Sequence, residues 1–394
     1  MNKVEIKPDI YWVGGIDWDI RNFHGYSTNR GTTYNAYLII DKKITLVDTV
    51  KHYLFDEMMD RIKAVIDPSK IDYIVSNHVE MDHSGSLPRL LETVKNAKVI
   101  TSTRGEKGLL RHYKKNLNLK VVKSGDTISI GKRTLHFVHI PMVHWPDSMV
   151  TYIPSDKLLL PNDAFGQHIA GSERFDDEIE WGILREEAAK YYANIVMPFG
   201  DQVKKALDVV STLEIDMIAP SHGIIWRSHI PEILKEYKRW ANYESAERAV
   251  IIYDSMWGST EKIAKKLAEG IAEVGIPVNI RNLKTCHISD VITDVQDSKL
   301  VLIGSPTLNN GMLPSVGGFL TYLKGLKPRN RVGFVFGSYG WGGQAVKEIQ
   351  KILESLSWDL PFDSVNINYI PNEDELNNLK NIGNKLGEYI KNNK

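Results

Sequence analysis

The order of apolar and polar positions divides the chain into two stretches built differently. In the first, short apolar runs at residues 11–14, 34–40 and 44–48 read as strands, the last two joined by the turn-like Asp41-Lys42-Lys43. Amphipathic spacing over 53–66 predicts a helix stopped by Pro68. A buried strand at 70–76, a helix at 87–95 and a strand at 98–102 follow, then a hairpin over 127–135 with Gly131 at its turn. Helices over 185–192 and 203–213 precede an apolar run that leads to His222. Strand hairpins early and helix–strand units later fit an αβ/βα sandwich better than a doubly wound sheet.

Near residues 244–248 the pattern becomes regular. Strands at 249–254, 278–281, 300–304, 332–337 and 365–369 alternate with helices at 261–273, 344–356 and 374–391, and 319–323 forms part of another. Five strands alternating with helices over one domain length predict a five-stranded, doubly wound parallel sheet. The expected organisation is therefore α/β throughout, with one domain over 1–247 and a second over 248–394.

Composition narrows the function. The 394 residues suffice for two or three domains with substantial cores. Lys and Arg together number 49, as do Asp and Glu, without a long like-charge block, so no nucleic acid or anionic membrane is expected as a partner. The first residues lack the apolar core of a signal peptide and no apolar run approaches membrane-spanning length, which points to a cytoplasmic protein. Cys286 is the only cysteine, so disulfides within the chain and cysteine-ligated iron–sulfur or rubredoxin centres are excluded; the thiol itself reads as inert. Eleven of twelve histidines precede residue 248, with His287 the exception, so metal chemistry is expected in the first part.

The run His78-Val79-Glu80-Met81-Asp82-His83 leaves the strand at 70–76 where loops gather. In an extended segment alternate side chains share a side, which lets His78, Glu80 and Asp82 converge. Two imidazoles and two carboxylates so close together are costly to bury without positive charge, which a bound cation supplies. Three more apolar runs each deliver one ligand-type residue to a loop: His144 in Pro141-Met142-Val143-His144, Asp163 in Leu160-Pro161-Asn162-Asp163, and His222 in Ala219-Pro220-Ser221-His222. The plain alternative is a set of polar strand ends.

In the second part, Ser255-Met256-Trp257-Gly258-Ser259-Thr260 joins the first strand to its helix. Small residues, hydroxyls and helix-start N–H groups suit a phosphate. The segment lacks both the Gly-Lys-Ser/Thr ending of a triphosphate loop and the GxGxxG of a dinucleotide turn, so a monophosphate fits best. It is similar to the phosphate loop of flavodoxins. That likeness extends to the third and fourth strand ends, where Ser305, Pro306, Thr307, Asn309 and Gly311, then Ser338, Tyr339, Gly340, Trp341 and Gly342, take the places of residues that flank the flavin ring. The implied cofactor is FMN, with Trp257 and Trp341 as ring neighbours.

The order of ligand-type residues resembles the metallo-β-lactamase-like fold, whose signature His-x-His-x-Asp-His is followed by His, Asp and His. Here Glu80 replaces the second histidine, and carboxylates suit a harder, redox-active metal. With Thr32-Thr33-Tyr34-Asn35-Ala36-Tyr37, His144-Trp145-Pro146-Asp147-Ser148 and Pro161-Asn162-Asp163-Ala164-Phe165-Gly166, the chain resembles the flavodiiron proteins over essentially its whole length.

That resemblance implies two non-haem iron ions. His78, Glu80 and His144 would hold one, Asp82 and His222 the other, and Asp163 would bridge them; ligation by His83 stays open. His24 and Tyr191 match residues near the diiron pocket. It further implies reduction of dioxygen to water, of nitric oxide to nitrous oxide, or both. Electrons would come through FMN from an external donor: rubredoxin, a reduced deazaflavin coenzyme or a nicotinamide-dependent reductase. A head-to-tail homodimer, or a dimer of such dimers, completes the expectation. Two rivals are a dinuclear zinc hydrolase with a regulatory flavodoxin-like domain, opposed by Glu80 and the flavin loops, and a simple electron carrier, opposed by the ligand set.

Overall fold

A computed structural model of the chain describes residues 3–393 and separates into two compact units. The first comprises the chain up to His24, Thr28–Tyr191 and Phe199–Lys238; the second comprises Gly25–Ser27, Tyr192–Pro198 and the chain from Arg239 onward. The crossing at Arg239 precedes the expected boundary at 247/248, which falls within the strand Ala246–Tyr253. Among the described residues no helix is long and apolar enough to cross a membrane. Met1 and Asn2, part of the stretch read above for a signal peptide, lie outside the described residues.

The first unit packs two sheets face to face. The larger runs in the order Val4–Lys7, Ile10–Trp12, Tyr37–Ile39, Ile44–Val47, Ile71–Val75, Lys98–Ser102 and Leu119–Val122. Its first four strands are antiparallel neighbours and the rest parallel. The smaller sheet orders Thr127–Ser129, Thr134–His139, Met149–Ile153, Leu158–Leu160 and Met217–Ile218. Inward residues of the two sheets form one core, with Ile39, Val47, Val75 and Ile100 of the larger meeting Leu135, Phe137, Met149 and Leu160 of the smaller. Period-two alternation produces this, because every second side chain of each strand faces the partner sheet. The ends of Ile71–Val75, Thr134–His139, Leu158–Leu160 and Met217–Ile218 lead into the loops of the candidate site.

The second unit is a parallel sheet in the order Val278–Asn282, Ala246–Tyr253, Ser298–Leu308, Val332–Tyr339 and Val365–Asn368. Counted along the chain this is 2-1-3-4-5, the flavodoxin-like arrangement. The two-residue strand Gly311–Met312 pairs antiparallel with the end of the third, an addition to the five expected. Ser259–Glu273 and Glu373–Asn392 pack closely through glycines: a Cβ on Gly270 would lie 2.0 Å from the Lys380 carbonyl oxygen.

Among the described residues four α-helices lay outside the sequence expectations: the single turn Met81–Ser84 and the longer Thr103–Tyr113, Ile230–Ala241 and Ile288–Asp297. Gly105 and Gly108 weaken Thr103–Tyr113 as a pattern, but Ser102 caps it, its Oγ accepting from Gly105 N at 2.9 Å. Ile230–Ala241 has clear helical spacing of Ile230, Ile233, Tyr237 and Trp240, all buried. Its start is set from a distance. The fully buried Asp176 carboxylate accepts the backbone N–H groups of Arg227, Ser228 and His229. The helix expected over 53–66 is the shorter Phe55–Lys63, preceded by a tight turn at His52–Leu54.

Candidate metal centre and flavin cleft

The ligand-type residues of the first unit gather into two adjoining groups. His78, Glu80, His144 and Asp163 form one, and Asp82, His83 and His222 the other, with the donor atoms of each group within 4.8 Å of one another. Convergence of His78, Glu80 and Asp82 on one point, expected from an extended run, does not occur. The chain turns helical at Met81–Ser84, and that turn carries Asp82 and His83 to the second group.

Asp163 faces both groups. Its Oδ2 lies 3.1 Å from His144 Nε2 and 3.6 Å from His78 Nε2, and its Oδ1 lies 2.9 Å from His83 Nε2 and 3.4 Å from His222 Nε2. Glu80 Oε2 is 3.3 Å from His78 Nε2 and 3.4 Å from His144 Nε2, while Asp82 Oδ2 is 3.2 Å from His222 Nε2. His83 thus points inward, toward the second group.

Residues that orient these side chains were not assigned from the sequence. Asp147 Oδ2 accepts from His78 Nδ1 and from Val79 N, each at 2.9 Å, so the proton of the imidazole sits on Nδ1 and Nε2 is free to ligate. His222 Nδ1 donates to the Thr33 carbonyl at 2.9 Å with the same effect. Ser221 Oγ donates to Asp163 Oδ1 at 2.9 Å. Behind the site the buried Asp48 carboxylate accepts from Asn77 N, Asn77 Nδ2 and Asn162 Nδ2, pinning two ligand-bearing loops. Thr33 and Asp147 lie in segments already singled out, but which backbone carbonyl or imidazole they meet is a tertiary fact.

His24 and Tyr191 occupy different settings. The His24 imidazole is largely exposed and its Nε2 lies 3.3 Å from Glu80 Oε1, at the rim. Tyr191 is buried, its ring centroid 6.0 Å from that of His222, and burial raises its phenol well above the usual range. His168 is fully buried, its ring 5.0 Å from that of His222 and 5.2 Å from that of Tyr191.

The charge pattern calls for a cation. Burial works against protonated imidazoles, yet the neighbouring carboxylates reverse this: the hydrogen bonds to Asp147 and Glu80 raise His78 well above its usual value, and the charges of Asp82 and Asp163 push His83 up to about 9. Asp82 Oδ1 and His83 Nε2 are buried without a hydrogen-bond partner, a deficit that metal ligation at these atoms removes, while His83 Nδ1 is buried without a partner on the far side of the ring. Mixed imidazole and carboxylate donors with one shared carboxylate fit a pair of divalent transition-metal ions.

In the second unit Ser255, Met256, Trp257, Ser259, Pro306, Thr307, Asn309, Ser338, Tyr339, Gly340, Trp341 and Gly342 line one cleft at the strand ends. Asn310, Tyr369 and Ile370 line it as well and were not chosen from the sequence; the exposed aromatic at the fifth strand end was the available signal. Four expected residues stand behind the lining. Ser305 is fully buried, its Oγ donating to the Pro306 carbonyl and accepting from Leu313 N. Thr260 is fully buried with its hydroxyl 2.9 Å from Ser338 Oγ. Gly258, at φ +87°, makes the turn into the helix, its N–H bonded to Ser255 Oγ at 3.0 Å. Gly311 belongs to the short added strand. Trp257 and Trp341 are more than nine-tenths exposed, which leaves large aromatic faces available to a planar ring.

A metallo-β-lactamase-like sandwich with an oxygen- and nitrogen-donor dinuclear pocket, joined to a flavodoxin-like sheet with a flavin cleft, defines a protein with two redox cofactors. Comparison with known proteins agrees in both halves: residues 32–223 match the ODP family beta lactamase and residues 251–381 match flavodoxin. The chain is 47% identical to a nitric oxide reductase of Moorella thermoacetica over 98% of each chain. Among solved structures it is similar to the rubredoxin oxygen:oxidoreductase of Desulfovibrio gigas (TM-score 0.97, 41% identity, 99% of each chain). It is likewise similar to the flavodiiron protein of Giardia intestinalis (TM-score 0.96, 36% identity, 98% of this chain and 96% of the other). The chain belongs to the flavodiiron protein family. FMN and two non-haem iron ions are its cofactors, and the two donor groups and the cleft fit them.

Proposed function

We propose that the protein is a flavodiiron oxidoreductase that reduces dioxygen to water, nitric oxide to nitrous oxide, or both. The observation that carries this reading is Asp163, whose two oxygens face separate donor groups in a chain that also holds a flavin cleft. The bound irons supply the site and electrons for gas reduction, and FMN relays electrons to them from an external donor. His78, Glu80 and His144 would hold one iron, Asp82, His83 and His222 the other, with Asp163 facing both groups.

The chain's own groups set the conditions. Asp147 and the Thr33 carbonyl fix the His78 and His222 tautomers, so the donor atoms are pre-oriented. Phe23, Tyr34 and Tyr191 stand against His222, and Trp145 against His78, excluding water around the pocket. His24 presents Nε2 beside Glu80 while remaining open to solvent, which suits it to carry protons inward. Tyr191, kept protonated by burial and with its ring 6.0 Å from that of His222, would be available as a hydrogen-bond donor beside the second donor group.

Because FMN and iron are assigned to different units, a head-to-tail homodimer that brings the flavin of one chain to the metals of the other is part of this proposal. The protein acts in the cytoplasm with a separate electron donor of the rubredoxin, deazaflavin or nicotinamide-dependent class. Counting iron, zinc and flavin in freshly purified protein tests the reading. About two irons and one FMN per chain support it; two zinc ions without flavin would instead favour a hydrolase.

A further inference from the structure

Beside its ligand loops the first unit keeps an unfilled apolar space. Val150 and Leu159 alternate with Met149, Leu158 and Leu160 of the sandwich core, so they point out of the opposite face of the smaller sheet. Gly200–Val210 covers that face with Val203, Ala206 and Leu207, which share one side of the helix. The remaining wall belongs to the ligand loops: Val143 precedes His144, and Ala164 and Phe165 follow Asp163. About 20 Å³ is left for the centre of a water-sized molecule, room for one water or one diatomic gas. No polar atom of the lining faces this space, whereas a buried water needs several hydrogen-bond partners. Tyr237, the one lining residue with a hydroxyl, turns it to Phe165, accepting from the backbone N–H at 2.7 Å.

Phe165 links this space to the donor groups. Trp226 Nε1 donates to its carbonyl at 2.8 Å, so both of its backbone polar groups are held, and they keep it at φ +67°, a conformation costly for a bulky residue. The next residue, Gly166, meets the other side: a Cβ there would stand 3.5 Å from His222 Cβ and from Tyr191 Cζ. One loop therefore separates the apolar space from the second donor group. On the opposite side Ala206 and Leu207 are only half-buried, which leaves a short way in from solvent. We infer that the space is a holding site for a small, nearly apolar diatomic gas, dioxygen or nitric oxide, next to the metal pocket. The inference rests on the gas reduction proposed above. Such a molecule leaves water for an apolar cavity as any apolar solute does, and water does not compete for a site without hydrogen-bond partners.

The test uses the protein loaded with iron and FMN. Crystals pressurised with xenon should show one xenon atom bounded by Val143, Phe165 and Val203. Val203→Leu and Ala206→Leu each add carbon to this space from the helix side, and both should lose the xenon site. Two variants are needed because added bulk can strain a packed wall, and the half-buried Ala206 has more freedom to adjust. In each, turnover at limiting gas should fall roughly threefold to tenfold while turnover at saturating gas is kept, the pattern of lost binding rather than lost chemistry. Iron and FMN content should stay at wild-type levels. Xenon absent from the wild type, or retained in both variants, overturns the inference, as does an unchanged gas-limited rate in a variant that has lost the xenon. Xenon binding requires no turnover, so the two readings fail separately: a wild type that takes up xenon yet reduces neither gas refutes the proposed function, and the holding role falls with it.

Discussion

Asp147 is the residue whose removal says most about how the metal pocket is held. Its Oδ2 receives both His78 Nδ1 and Val79 N at 2.9 Å, and His78 is wholly shielded from solvent. Asp147→Ala strands the buried Nδ1–H, at a cost of about 1–3 kcal/mol. It also lets the proton move to Nε2, the nitrogen that faces Glu80 and Asp163, and a protonated Nε2 cannot ligate. Partners behind a ligating histidine are worth about 10–100-fold in metal affinity, which at 1.4 kcal/mol per decade is about 1.4–2.8 kcal/mol and agrees with the cost of the stranded donor. Ferrous iron titrated anaerobically into chelator-stripped protein, against a chromophoric competitor, should show one binding step weakened by that factor. The step belonging to Asp82, His83 and His222 should move little. Asp147→Asn, which keeps an oxygen for the two N–H groups, should restore most of the loss. Unchanged affinity in Asp147→Ala, or equal weakening of both steps in protein with a normal melting profile, would refute the orientation argument.

Other perturbations separate the parts of the account. Asp163→Ala should lose most of both metals whereas His83→Ala should weaken chiefly the second group; metal analysis showing equal retention in the two would remove the bridging role. Ser259→Ala should weaken FMN about tenfold or more by flavin fluorescence titration, because a hydroxyl bond to a charged phosphate is lost. Thr260→Ala should act less on FMN and more on stability, since its hydroxyl is engaged by Ser338; a larger FMN defect in Thr260→Ala would reverse the assignment. Asp176→Ala strands three backbone N–H groups ahead of Ile230–Ala241 and should lower unfolding free energy by about 2–4 kcal/mol, read by denaturant titration, with the iron-to-FMN ratio of the folded fraction unchanged.

Much of this architecture was legible in one dimension because it rests on short-range patterns. The second unit alternates strand and helix with clear breaks, and its phosphate loop sits in one contiguous segment, so both the sheet and most of the cleft could be read. The residues that gather into the two donor groups stood out for a related reason: His78, His144, Asp163 and His222 each come soon after an apolar strand, and strand ends gather. What escaped depends on contacts distant in sequence. The Met81–Ser84 turn that sends Asp82 away from His78 follows no alternation rule. Asp48, buried beneath two ligand loops, looks in sequence like any strand-terminal carboxylate. Ser305 and Thr260 resemble phosphate or ring contacts until their hydroxyls are seen engaged internally. The excursions Gly25–Ser27 and Tyr192–Pro198 into the second unit carry no compositional mark at all.

The central claim is that flavin-borne electrons reduce gas at a dinuclear iron site bridged by Asp163. Its most direct test is to reduce the iron- and FMN-loaded protein, expose it to a limiting amount of dioxygen or nitric oxide, and follow flavin reoxidation together with the product. The account predicts fast reoxidation yielding water without peroxide, or nitrous oxide. Asp163→Ala carrying full FMN should reoxidise with dioxygen only to peroxide and hardly at all with nitric oxide. Equal rates and identical products in wild type and Asp163→Ala would contradict it.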